Sequence, residues 1–282
     1  MTSTPTSDQA TDRAVPEEFE ADVKALYTDG ITARRGAFTR EWVADLREDV
    51  EAAFAEAKGR EGGAVGRGPE RWYVEVHPEQ IRGFLDLVDH PWVSGLCAAV
   101  LGPDYEIVEI GFDIPFPGAQ YQPWHRDFPM PEETRAHRRL TSLAFNITTV
   151  DTTEEMGPFE IAPGTQWDDK PTFDHGMFPP KEEYARYEAL AQRKYPNMGD
   201  ISARSALTIH RGTVNQSQLS RPVVVLGVDA PGAGNAEHHD LALTRPYADS
   251  LPERVRRHLK CPVVDELVPI TQKHTIEGLV MG

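Results

Sequence analysis

The chain is poor in several things, and each shortage excludes a class of function. It has only two cysteines, Cys97 and Cys261, so a disulfide framework is ruled out and reduced structural thiols are expected. No apolar run approaches the roughly 18–20 residues that a membrane-crossing helix needs. Positive charge is scarce, with 29 Lys and Arg against 45 Asp and Glu, a net charge of −16 that disfavours nucleic acid and anionic membranes as partners. No Cys-x-x-Cys pair and no nucleophile elbow is present, and the glycine-rich stretch 59–68 lacks the following Lys-Ser/Thr of a phosphate-cradling loop. The first residues are polar and rich in Ser and Thr, without a basic-then-apolar leader, so residues 1–15 are expected to be a disordered tail and the location cytoplasmic.

What the sequence does have is turn chemistry. Its 23 prolines and 22 glycines are scattered as punctuation, with no repeat or low-complexity block. The N-terminal third predicts helices over 17–30 and 39–58, the second capped by Thr39 and striped with Trp42, Val43, Leu46 and Val50. Short strands are expected at 31–38 and 71–76, and one or two helices over 79–100. From Tyr105 the signal is mostly β, with strands predicted at 105–114, 119–127, 140–150, 157–162, 200–210 and 221–229. Strands separated by turns and not by helices disfavour a parallel α/β sheet and favour a sandwich or jelly-roll barrel. The reading is therefore a mainly β, cupin-like jelly roll with N-terminal helices packed outside. It forms a single domain over 16–282, with a helical insertion at about 181–195. Strands 200–210 and 221–229 are expected to be antiparallel neighbours.

The residues that suggest chemistry are His125, Asp127 and the distant His210. In a strand, positions i and i+2 face the same side, so His125 and Asp127 could reach one metal while Trp124 and Arg126 alternate away, as packing and surface charge respectively. Two histidines and one carboxylate form a facial ligand set for non-haem Fe(II) that leaves adjacent positions open. His238-His239-Asp240 looks superficially similar, but consecutive strand residues cannot both face one ion.

Around these residues lie Met156-Gly157-Pro158 through Pro163-Gly164-Thr165, Gly199-Asp200, His210-Arg211-Gly212, Asn215-Gln216-Ser217 and Arg221. Their order and spacing resemble the landmarks of the phytanoyl-CoA dioxygenase-like family of Fe(II)/2-oxoglutarate-dependent oxygenases. The resemblance runs from about Tyr105 to Val228. It implies a double-stranded β-helix core, Fe(II) held by His125, Asp127 and His210, and 2-oxoglutarate and O₂ as co-substrates. Arg221 is the expected anchor for the far carboxylate of 2-oxoglutarate, since a guanidinium fork matches a carboxylate and keeps its charge. Asn146, and more weakly Gln122, are further co-substrate candidates. Tyr121 and Arg204 share strand parity with His125 and His210 and are expected in the substrate pocket. Asp127 stands where related halogenating enzymes have a small residue, which favours hydroxylation, desaturation, cyclisation or epoxidation. Gln166 stands where His is common in the family, at a position peripheral to the metal.

The implied partner is a small-molecule substrate, in a specialised biosynthetic pathway, with the chain a monomer or homodimer. Two rivals stay open from sequence: a cupin-like metal enzyme that does not use 2-oxoglutarate, and a non-catalytic jelly-roll ligand-binding protein.

Overall fold

The computed structural model describes residues 15–273. The tail predicted over 1–15 lies, apart from Val15, outside the described residues. None of the described helices is long and apolar enough to cross a membrane.

The helical N-terminal part follows the sequence pattern closely. Helix α1 spans Glu20–Thr28, strand β1 Ile31–Arg34 and helix α2 Arg40–Lys58. The Thr39 side chain accepts a hydrogen bond from the Trp42 backbone N–H at 3.2 Å, satisfying one of the donors left free at a helix start. Val43, Leu46 and Val50 are buried on one stripe of α2, as helical periodicity requires. Strands β2 (Val65–Gly66) and β3 (Arg71–Glu75) precede helices α3 (Phe84–Val88) and α4 (Pro91–Val100). The glycine-rich 59–68 stretch thus contributes a short edge strand.

The β part comprises β4 (Glu106–Pro115), helix α5 (Glu132–His137), β5 (Ser142–Thr148), β6 (Phe159–Ile161), helix α6 (Tyr184–Leu190), β7 (Gln192–Lys194), β8 (Ile201–Ser205), β9 (His210–Gly212) and β10 (Val223–Asp229). Seven strands form one antiparallel sheet in the order β1-β8-β5-β10-β4-β3-β2, and β7-β6-β9 form a second. Hydrogen bonding does not close the two sheets into a continuous barrel.

The large sheet obeys the two-residue alternation of strands. Leu143, Phe145 and Ile147 on β5 and Val224 and Leu226 on β10 are buried in the same core as Leu46, Leu87 and Leu96 from the helices. Each such burial contributes roughly 1.5–3 kcal/mol, which holds the helices on this face. The opposite parity, including Ala144, Asn146, Thr148, Val223 and Val225, lines a cavity of about 570 Å³ whose other wall includes Phe159, His210 and Gly212 of the small sheet.

Four expectations are corrected. Residues 119–127 form no strand and join the framework through an isolated bridge between His125 and His210. The expected strand 200–210 is broken by a turn at Ala206-Leu207, which carries the chain from the large sheet (β8) to the small one (β9). The strands at 200–210 and 221–229 are also not neighbours, since β5 pairs with both β8 and β10 and lies between them. The insertion at 181–195 is helical only in its first part, because Gln192–Lys194 pairs with β6 as an edge strand.

Candidate metal centre

His125 and His210 face each other across the bridge, each donating its backbone N–H to the other's carbonyl at 3.0 and 2.8 Å. Their Nδ1 atoms lie 2.8 Å from the Pro123 carbonyl and 2.9 Å from the Thr208 carbonyl. A carbonyl oxygen can only accept, so each Nδ1 carries the ring proton and each Nε2 presents a lone pair. Asp127 is fixed through its backbone N–H, which donates to the Ala206 carbonyl at 3.0 Å. Its Oδ1 is 3.5 Å from His210 Nε2. One donor atom from each of the three side chains lies within 4.8 Å of the other two, the only such group of three or more metal-ligating residues among the described residues.

The electrostatics keep this set in its ligating form. Burial pushes His125 down to about 4, and pushes His210 well below the usual histidine range with help from Arg204 and His125. Burial alone would raise Asp127, but Arg204 and then His210 outweigh it and hold the carboxyl at about 2. At neutral pH the trio is two neutral imidazoles and one carboxylate. That donor set fits a divalent iron and leaves one face of the coordination sphere uncovered.

A second polar group lines the same cavity. Arg221, just before β10, is buried, and its Nε donates to the Met156 carbonyl at 3.2 Å. Its two terminal nitrogens hydrogen-bond no protein group among the described residues. Burial, then the nearby Arg71, lower Arg221 to about 10, which still leaves it charged at neutral pH. Arg71, which sequence reasoning missed, is also buried and donates to Asp113 Oδ2 at 3.0 Å, to Gln122 Oε1 at 3.3 Å and to the Thr213 carbonyl at 3.4 Å. Two guanidiniums against one carboxylate, Asp113, leave this wall with a net positive charge. Gly212 makes the arrangement possible, because a Cβ there would collide with the Arg71 guanidinium.

The remaining predicted residues divide. Asn146 lines the cavity from β5, and its Oδ1 is buried without a hydrogen-bond partner among the described residues. Gln122 also lines it, with Oε1 accepting from the Gly212 N–H at 2.9 Å and from Arg71. Arg204 lines it from β8 but is turned onto Asp127, at 2.6 and 3.2 Å. Tyr121 does not reach the cavity. It is 42% exposed and bonded to Arg193 at 3.0 Å, because strand parity has no force in an irregular segment. Trp124 is buried packing, as expected. Arg126, expected as surface charge, is instead 1% exposed and donates to the carbonyls of Gly176 and Asp168 at 2.8 Å each. Together with its backbone bond to Met177, it ties down the loop that brings Met177 and Phe178 to the cavity. His239 belongs to no group of three metal-ligating residues among the described residues, and its Nδ1 lies 2.7 Å from Glu75. Gln166 is buried away from the trio, donating to the Leu26 and Tyr27 carbonyls.

The family model described as phytanoyl-CoA dioxygenase (PhyH) matches residues 26–223. The chain belongs to the PhyH family. The matched span holds the trio, Arg71, Asn146, Arg204 and Arg221. It stops short of Asn235, residues 237–240 and residues 270–273, which line another part of the cavity.

A search of curated protein sequences finds no match. Among solved structures, the chain is similar to EctD from S. alaskensis with 2-oxoglutarate and 5-hydroxyectoine, with 16% identity, 75% of this chain and 76% of that one covered, and a TM-score of 0.59. It is also similar to the non-heme alpha ketoglutarate dependent carbocyclase SnoK from nogalamycin biosynthesis, with 19% identity, coverage of 77% and 88%, and a TM-score of 0.59. The epimerase SnoN, of the same dependence and pathway, gives 18% identity, coverage of 79% and 89%, and a TM-score of 0.61. At these identities the likeness establishes a shared fold.

Proposed function

We propose that this PhyH-family protein is an Fe(II)- and 2-oxoglutarate-dependent dioxygenase that oxidises a C–H bond of a small organic molecule, by hydroxylation or a related desaturation, cyclisation or epoxidation. The observation that carries the reading is the pairing, in one cavity, of the His125-Asp127-His210 trio with a buried Arg221 whose terminal nitrogens hydrogen-bond no protein group among the described residues. An unpaired buried guanidinium is costly unless a ligand completes it, and a dicarboxylate does so bidentately.

His125, Asp127 and His210 hold the iron. Iron held there would supply the redox chemistry, with O₂ as the oxidant and 2-oxoglutarate oxidised to succinate and CO₂. Arg221 binds the far carboxylate of 2-oxoglutarate, and Arg71 adds positive potential while staying committed to Asp113. The amide of Asn146 is a further polar contact for the co-substrate. Gln122, with its oxygen already engaged, orients Arg71 and Gly212. The apolar wall of Phe128, Met177, Phe178 and Phe159 limits water and receives the substrate. A place in specialised biosynthesis is part of this proposal, supported by two structural neighbours that come from nogalamycin biosynthesis.

A cupin-like metal enzyme that makes no use of 2-oxoglutarate gives Arg221 no task. The test is release of succinate by the iron-loaded protein across a panel of small metabolites. The expected result is release that requires both O₂ and one panel member. Substrate consumption undiminished without 2-oxoglutarate would overturn the proposal.

A further inference from the structure

Arg204 reaches Asp127 with two nitrogens, Nη1 at 2.6 Å from Oδ2 and Nη2 at 3.2 Å from Oδ1. The two carboxylate oxygens are not equivalent. Oδ1 is the one near His210 Nε2, at 3.5 Å, whereas Oδ2 takes the shorter arginine bond. Arg204 is itself immobilised. It is 6% exposed, paired in register with Ile31 on one side and Ala144 on the other, and its guanidinium lies 5.7 Å from the Phe159 ring centroid. Asp127 is pinned independently through its backbone bond to Ala206.

Resting on the metal-centre reading above, we infer that Arg204 is a positioning residue that confines Asp127 to one-oxygen coordination. Oδ1 goes to the metal, and Oδ2 is retained by the guanidinium. A carboxylate free to rotate can bind a cation with both oxygens, and doing so fills a coordination position. Three adjacent positions must stay open if a bidentate 2-oxoacid and one further small ligand are to bind on the same face. A short charge-assisted bond in a buried setting has the strength to hold the second oxygen back, and the planar fork fixes the tilt of the carboxylate as well. Arg204 is therefore assigned to the metal ligand and not to the substrate.

The experiment uses Co(II) as a spectroscopic probe in the full-length chain, comparing wild type with Arg204→Gln and Arg204→Lys. Folding is checked by circular dichroism. In Arg204→Gln the released carboxylate alters the Co(II) d–d spectrum, and 2-oxoglutarate binds the Co(II)-loaded protein about tenfold to a hundredfold more weakly. Should that variant not fold, Arg204→Lys carries the test, since it keeps a cation but loses the fork; a shifted spectrum with weakened 2-oxoglutarate binding is expected there too. Wild-type spectra and wild-type 2-oxoglutarate affinity in the folded variant overturn the role of Arg204. Failure of the wild-type protein to bind Co(II) overturns the metal-centre reading itself, so the two failures are distinguishable.

Discussion

His125 and His210 sit opposite one another and exchange both of their backbone hydrogen bonds, at 3.0 and 2.8 Å. This main-chain pairing positions two side chains far apart in sequence. The first consequence is that removing a ligand side chain should cost metal binding and not the fold. Asp127→Ala or His210→Ala is expected to keep the wild-type circular dichroism spectrum while losing Co(II) binding by calorimetry. An unfolded protein in both variants would show that the trio is a structural network.

Arg221 is expected to act on the co-substrate alone. Arg221→Gln removes a charge-assisted bidentate partner, with hydrogen bonds to charged groups contributing about 1.5–3 kcal/mol each. The Kd for 2-oxoglutarate, measured on Co(II)-loaded protein, should rise by a factor on the order of 10²–10³, with Co(II) affinity unchanged. Arg221→Lys should recover only part of the loss, since an ammonium cannot form the two parallel bonds.

Gly212 provides a test of Arg71 without changing a charge. A methyl group at Gly212 meets the Arg71 guanidinium, which is also held by Asp113 and Gln122. Gly212→Ala should therefore weaken 2-oxoglutarate binding by at least about tenfold while leaving Co(II) binding intact, although the substitution lies two residues from His210. Unaltered 2-oxoglutarate affinity would detach Arg71 from the co-substrate wall.

The metal-free protein should lose stability as pH falls from 7 towards 4. The unfolded histidine titrates near the ordinary value of about 6.5, whereas burial holds folded His125 at about 4. Between those values the unfolded state binds more protons, so stability rises with pH. His125 alone accounts for on the order of 3 kcal/mol over this interval. Asp127 adds a further loss between the ordinary carboxylate value and about 2, where its folded form is finally protonated. Urea unfolding midpoints of metal-free protein across this range check the sign. Replacing His125 with Phe should flatten the profile.

Much of the fold was legible because local chemistry and tertiary context agree. Thr39 caps α2 where its position before an amphipathic stripe predicts, and the turn residues fall between strands. The large sheet presents an apolar face to the helices. Two failures share one cause, the irregular backbone from 119 to 127. Parity placed Tyr121 in the pocket and Arg126 at the surface, but parity holds only in a strand. Here Tyr121 turns outward and Arg126 is buried against the carbonyls of Asp168 and Gly176. Arg71 was invisible for another reason. Nothing in the short strand Arg71–Glu75 marks one arginine as buried, and its partners Asp113, Gln122 and Thr213 come from three separate segments. The convergence of His125, Asp127 and His210, and the placing of Arg221 at the same cavity, were expected from residue types together with the order of the family's landmarks.

Arg126 also yields a stability prediction. Replacing it with Met leaves two part-buried carbonyls without their donor and frees the loop from Asp168 to Phe178. The expected cost is about 2–4 kcal/mol in urea unfolding, with faster proteolytic cleavage inside that loop.

The most direct test of the central claim is the visible spectrum of the protein mixed with Fe(II) and 2-oxoglutarate in the absence of oxygen. A weak metal-to-ligand charge-transfer band is expected in the wild type, absent in Asp127→Ala and requiring a higher 2-oxoglutarate concentration in Arg221→Gln. No band in the wild type, or an undiminished band in Asp127→Ala, would contradict the account.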